Sequence, residues 1–261
     1  SVRDSGVYWI VLNLRHPVLG KKLGVRKAIA MTLNRQGYVD DILNGRGIVV
    51  DTMVPLTIPS NHEDLGFKWY NRDVEEAKRL LADAGYPDGK GLPEFRYVTS
   101  SGGAVQKAFE FHRRTLAEIG VKIVLDMMPY SSFIKKEEEG DFDIATSGWG
   151  ADYPDAENFT SLMTSLARTQ GQNYGDYHNK RYDELSDLTK ITPPGPERNK
   201  MFKEMAELIK ADVPIIPLFE YIRVGLYPKN WVKNFKRDIE SERDAIHMDI
   251  DVARQKEGFS L

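Results

Sequence analysis

The sequence predicts a layered α/β domain, and three observations carry that expectation. Apolar runs of strand length alternate with stretches of helical spacing, Gly and Pro stand where those stretches end, and 261 residues can bury a substantial core. No internal repeat or low-complexity tract interrupts the alternation.

Residues 7–14, "VYWIVLNL", form a continuous apolar run rich in aromatic and β-branched side chains and read as a buried strand. Residues 25–43 place Ile29, Leu33, Val39 and Leu43 on helical spacing with Gly45 beyond, which predicts one helix. A second helix starts after Asp73, carries acids in its first turn, and ends at Gly85 and Pro87. "EFRYVTSS" reads as a strand, 104–119 as a helix, "VKIVLDMMP" as a strand, 130–139 as a short helix and "FDIATSGW" as a strand. "HNKRYDELSDLTKI" and "GPERNKMFKEMAELIKAD" read as two helices, with Pro193, Pro194 and Pro196 where a missing N–H does little harm. "VPIIPLFEYIRVGLY" returns as an apolar strand, and beyond Pro228 the pattern thins to charged turns.

Composition narrows the function classes. The 36 Lys plus Arg against 39 Asp plus Glu leave a net charge of −3, with no basic excess to hold nucleic acid or an acidic membrane surface. Absence of cysteine removes disulfides, thiolate zinc sites and cysteine nucleophiles, and suits a reducing or an oxidising compartment equally. No apolar stretch approaches the ~20 residues that span a bilayer, so no membrane insertion by this chain is expected. The N-terminus, "SVRDSGVYW", lacks a signal peptide's charged and apolar regions, and the chain reads as a mature or trimmed piece.

Catalytic motifs do not emerge. His16, His62, His112, His178 and His247 are scattered without i, i+4 pairs, and neither a G-x-S-x-G elbow, a Walker A sequence nor a G-x-G-x-x-G fingerprint occurs. The expectation is therefore a protein that is not an enzyme and takes no cofactor; a hydrolase built on Asp152 and His178 would lack a nucleophile motif. "KKEEEGD" (135–141) reads as a solvated helix face, and the Met127 and Met128 pair as core.

Two glycine-bearing stretches could meet a ligand. In "TSSGGAVQKAF", Thr99, Ser100 and Ser101 lead through Gly102 and Gly103 into a helix, where free N–H groups hold an anion or merely cap the turn. In "SGWGADYPD", Gly148 and Gly150 let another backbone approach, Trp149 offers a flat wall, and Asp152 can pair with an ammonium. The alternative for this stretch is a turn into a helix, capped by Asp152 or Asp155, with Trp149 filling core.

The run "FDIATSGWGADYPDAENF", with "VRKAIAMTLNRQGYVDDILNGRG", "EEAKRLLADAGYPDGKGLPEF" and "ERNKMFKEMAELIKADVPIIPLFE", resembles the second half of the family 5 extracellular solute-binding proteins of ABC importers. The resemblance covers about Tyr8 to Phe219. It implies one lobe of a two-lobed, class II periplasmic-binding-protein fold, a mixed sheet flanked by helices, with ligand held between lobes that close about a hinge. Residues 1–222 would form that ligand-binding lobe, and 223–261 a return segment that packs on a first lobe, roughly the absent first half of a family member. A peptide ligand and membrane permease subunits are the implied partners, in a periplasmic or extracellular setting, with a lipid anchor in some full-length members. The same cleft would serve a peptide-presenting sensor or chaperone, or a nickel-chelate binder.

By motif, the resemblance aligns Asp152 with the acid that takes the ligand's α-ammonium, and Gly148, Trp149 and Gly150 with the segment beside the bound peptide. Trp9 and the loop 99–103, including Thr99, Ser100 and Ser101, are implied as cleft wall. The sequence departs from the family where some oligopeptide binders carry arginines for a peptide carboxylate. Thr146 and Glu137 stand near those places, which points to longer peptides or another amine-bearing solute.

Overall fold

The computed structural model describes residues 2–103, 105–167, 172–223, 232–233 and 249–250. Its centre is a six-stranded mixed sheet in the order β2-β6-β1-β5-β3-β4. The strands are β1 (Val2–Leu12), β2 (Gly47–Val49), β3 (Phe95–Ser100), β4 (Ile123–Met128), β5 (Ile144–Gly150) and β6 (Ile215–Arg223). β3 runs parallel to both β4 and β5, whereas β1 is antiparallel to β5 and β6, and β6 to β2.

Before the β3 unit come α1 (Pro17–Lys21), α2 (Leu23–Thr32), α3 (Arg35–Asp41) and α4 (Val74–Asp83). The helix expected over 25–43 is therefore two. Leu33 leaves the helical region at ψ 123°, and the Asn34 side chain accepts the Gly37 N–H at 2.9 Å, so a new N-terminus outcompetes continuation. Asp73 caps α4 as expected, accepting from the Glu76 N–H. His16 caps α1, its Nδ1 accepting from the Val18 and Leu19 N–H groups.

Between the parallel strands lie α5 (Val105–Ala117) and α6 (Tyr130–Glu139). The chain goes from β3 outward to β4 and then back across to β5, so right-handed crossovers place α5 and α6 on opposite faces. Tyr97 of β3 meets Phe109 and His112 of α5. α7 (Glu157–Thr160), α8 (Lys180–Ile191) and α9 (Pro196–Asp212) follow β5.

β6 carries a proline inside the sheet. Pro217 sits opposite Trp9 where the β1–β6 register shifts, and β2 pairs only with Phe219, Glu220 and Tyr221, so neither ladder requires its missing N–H. The core is continuous from β1 through α2, β3 and α9, with Trp9, Phe95, Phe159 and Phe202 almost wholly buried. Met127, expected in the core, is 45 % exposed because β4 is the outer strand. The expected return segment 223–261 lies, apart from Arg223 and a short ladder of β7 (Val232–Lys233) with β8 (Asp249–Ile250), outside the described residues.

Candidate functional site

A cavity of about 610 Å³ opens at one end of the sheet. Its wall takes Thr99 and Ser100 from the C-terminal end of β3, Thr146 to Gly150 from that of β5, Gly6 and Tyr8 from the antiparallel β1, and Phe219, Tyr221 and Arg223 from β6. Val105 and Phe109 of α5 and Phe133 and Glu137 of α6 complete it. In sheets with parallel strands, ligands sit outside the carboxyl ends where successive crossovers leave to opposite faces, and β3 with its two parallel neighbours makes such a point.

β5 is the key element. β3 pairs with it only at Tyr97–Ile144 and Val98–Ala145. From Thr146 to Gly150 the β3-facing edge of β5 has no ladder partner among the described residues, while its other edge pairs with β1 from Ile144 to Gly150. A slot of open main-chain groups therefore lies along the cavity.

The two glycines of that slot differ. A Cβ at Gly148 would meet Tyr8 Cδ1 at 2.8 Å and the Val7 carbonyl at 3.0 Å, so glycine there accommodates the neighbouring strand. A Cβ at Gly150 would meet nothing within 4 Å, so that position opens toward space.

Aromatic rings form the floor. Tyr8 stacks on Phe219 with centroids 5.3 Å apart and meets Tyr221 edge-on at 5.0 Å; Tyr38 stacks on Phe219 and on His112. Burial raises the Tyr8 and Tyr38 hydroxyls above the usual tyrosine range and pushes the His112 imidazole down to about 4. At the rim Arg223 Nε holds Asp4 at 2.6 Å.

Of the residues singled out in the sequence, the cavity gathers Gly148, Trp149, Gly150, Thr99 and Ser100. Ser101 is exposed, bonds through its N–H to the Met128 carbonyl, and is not part of the wall. Trp9 is 1 % exposed and lies on the opposite face, because alternation along β1 turns Tyr8 to the cavity instead. Asp152 is exposed two residues beyond the β5 end, outside the wall.

Asn158 was not legible as a site residue, yet it ties this stretch together. Its Oδ1 accepts from the Trp149 Nε1 at 3.2 Å and the Asp152 N–H at 3.0 Å, and its Nδ2 donates to Asp152 Oδ2 at 3.1 Å. Asp155 takes the structural role weighed for this turn: it accepts the Glu157 N–H at the start of α7 and pairs with Arg198 at 2.6 Å. His178 is exposed and partners Asp176, so no Asp152–His178 pair forms.

Glu137 corrects the expectation of a solvated 135–141 run. It is 1 % exposed in the cavity wall, and burial pushes its carboxyl up to about 8 against a hydrogen bond from Ser147. Among the described residues no group of three His, Asp or Glu side chains could hold a metal ion, and no helix is long and apolar enough to cross a membrane.

Residues 1–171 match the family model described as bacterial extracellular solute-binding proteins, family 5 Middle. The chain is 26% identical over 218 residues to di/tripeptide-binding protein 1 of Pseudomonas aeruginosa, covering 80% of this chain and 39% of the relative. It is also 26% identical over 196 residues to heme-binding protein A of Haemophilus influenzae, covering 74% of this chain and 36% of the relative. Among solved structures it resembles the periplasmic binding protein DppA of Helicobacter pylori in complex with the peptide STSA, at a TM-score of 0.81 and 24% identity, covering 95% of this chain and 48% of that one. The chain thus spans less than half the length of each of these proteins.

Proposed function

The chain belongs to the family 5 bacterial extracellular solute-binding proteins, and from that premise we propose that it is part of the peptide-capturing component of an ABC-type importer, with the cavity as one wall of an interlobe cleft. The observation that carries this reading is the unpartnered β5 edge from Thr146 to Gly150 along the cavity. An extended peptide adds to such an edge as a strand, gaining main-chain hydrogen bonds that do not depend on its side chains. Gly150 leaves room for it, and Trp149 and Tyr8 supply apolar surface.

In this reading Asp152, just past the slot, receives the peptide's α-ammonium, and Asn158 holds its carboxylate in place. Thr99 and Ser100 face the peptide from the end of β3. Ligand-dependent closure then presents the loaded protein to a membrane permease, outside the cytoplasmic membrane, where a lipid anchor could tether it.

The test is calorimetry on the full-length protein with matched peptides carrying a free or an acetylated N-terminus, with hemin as the contrasting ligand. Free-amine peptides should bind, and Asp152→Asn, at a position exposed in this lobe alone, should weaken them by about 2–5 kcal/mol, the range for removing one partner of a charge pair that lobe closure has buried. Acetylated peptides should bind weakly to both. Hemin binding without peptide binding would overturn the peptide reading, and unaltered affinity in the Asn variant would leave Asp152 a structural residue.

A further inference from the structure

The cavity wall contains a charged residue type that the peptide reading has not used. Glu137, on the inner face of α6, is 1 % exposed, and its Oε1 has no hydrogen-bond partner among the described residues. A buried carboxyl oxygen left unpaired is costly, and native structures keep such groups where something else completes them. Of the three consecutive glutamates in this run Glu138 and Glu139 are exposed, and Glu137, the first, is turned inward to the wall.

Resting on the peptide reading above, we propose that Glu137 is a specificity-determining residue of the cleft, its carboxyl completing its hydrogen bonds with a cationic side chain of the bound peptide. The groups that face it leave that role open. From β5 the Ser147 hydroxyl bonds it; from the loop before α8 Tyr174 shares its field, and from its own helix Glu138 does. None of these is a cation. Arg15 lies near the C-terminal end of α6, but its guanidinium donates to the Tyr174 carbonyl at 3.1 and 3.2 Å. In the wall the basic residue is Arg223, which is bound to Asp4.

Burial favours the protonated carboxyl in the unliganded protein. An arriving ammonium or guanidinium favours the ionised form, so the carboxylic proton leaves to the buffer as the ion pair forms, and net charge is conserved. Binding of a cationic peptide therefore carries a proton count that binding of a neutral one lacks.

The experiment uses the full-length protein and two tetrapeptide pools that differ only in lysine or norleucine at the non-terminal positions. Competition binding should show the lysine pool preferred by about ten- to a hundredfold, the weight of a hydrogen bond to a charged group. Calorimetry in two buffers of different ionisation enthalpy should show about one proton released per lysine peptide at pH 7, with none for norleucine. Glu137→Gln, isosteric with the protonated acid, should keep the melting temperature at pH 5 and match or exceed the parent's at pH 7, and lose both the preference and the proton release. Equal binding of the two pools, or a preference that survives Glu137→Gln, overturns this inference and leaves the peptide reading standing. Binding of neither pool overturns the peptide reading, and this inference with it. Should the Gln variant not fold, the parent's proton count decides: no release on binding the lysine pool overturns the role.

Discussion

Gly148 lies directly across from Tyr8 in the β1–β5 ladder, close enough that a Cβ on the glycine would come within 2.8 Å of the tyrosine ring. The ring in turn stacks on Phe219 of β6, so three strands meet at that glycine. Gly150, two residues on, faces open space from the same strand. One glycine serves the packing of the sheet, and the other leaves the space through which we propose a ligand enters.

Gly148→Ala should therefore destabilise the protein by about 1–3 kcal/mol, the usual cost of forcing an extra carbon into packed surroundings. Gly150→Ala should stay within about 0.5 kcal/mol of the parent, as exposed changes do. Gly150→Val, by contrast, should leave the melt alone and lower peptide affinity, because the branched side chain occupies the approach. Urea titration and calorimetry on the same variants check both halves.

Tyr8 and Trp9 should separate function from stability. Trp9→Ala should cost about 3–5 kcal/mol, as for a large buried aromatic, with affinity retained in whatever fraction remains folded. Tyr8→Leu keeps apolar bulk under Phe219 and should reduce binding more than it reduces stability. Equal effects of the two substitutions on affinity would contradict the facing assigned to β1.

Asn158 links Trp149 to Asp152 from a position only 6 % exposed. Asn158→Ala leaves the indole N–H and the Asp152 N–H without their acceptor and should cost about 1–3 kcal/mol. Free-amine peptides should lose affinity in step, while acetylated ones change little. A stability loss with no change in the free-amine preference would confine Asn158 to the fold.

Stability should fall as pH rises from about 4.5 toward 8. Burial raises Glu137 to about 8 and Glu220 to about 7, so the folded state holds protons that the unfolded state releases at lower pH. The contribution of such a group is complete below its unfolded pKa and is lost as pH climbs through the folded one, at about 1.4 kcal/mol per pH unit per group. His112, lowered to about 4, acts in the other direction: its contribution is present above the unfolded value and fades as pH drops toward 4. Glu137→Gln and Glu220→Gln should each flatten the decline between pH 5 and 7 in chemical denaturation.

Much of this architecture is legible in local pattern, because the strands β3, β4 and β5 and the helices between them each carry their own apolar period and their own stop signals. α6 has the expected limits because Gly140, at φ 69°, ends it. The break at Asn34 is hidden because the apolar spacing continues across it, and only a single side-chain acceptor decides the matter. Pattern also shows that β1 has two faces without showing which one meets the cavity, and so Trp9 stood where Tyr8 belongs. The inward turn of Glu137 is hidden for a similar reason: within three consecutive glutamates nothing local marks the one that is buried, and only the family resemblance set Glu137 near the ligand. Asn158 is invisible until the chain folds back to bring it under Trp149.

The order β2-β6-β1-β5 bears on how the molecule comes into being. β6 supplies β1 with one of its two neighbours and β2 with its partner, and it is the last strand of the sheet in chain order, pairing Glu220 with Val7. During vectorial synthesis β1 must wait through nearly the whole described chain before that side is covered, and non-local closure of this kind is slow. Until then the apolar stretch from Val7 to Leu12 presents a strand flank able to pair with a second nascent chain. That flank stays open to the wrong partner until residues 215–223 arrive.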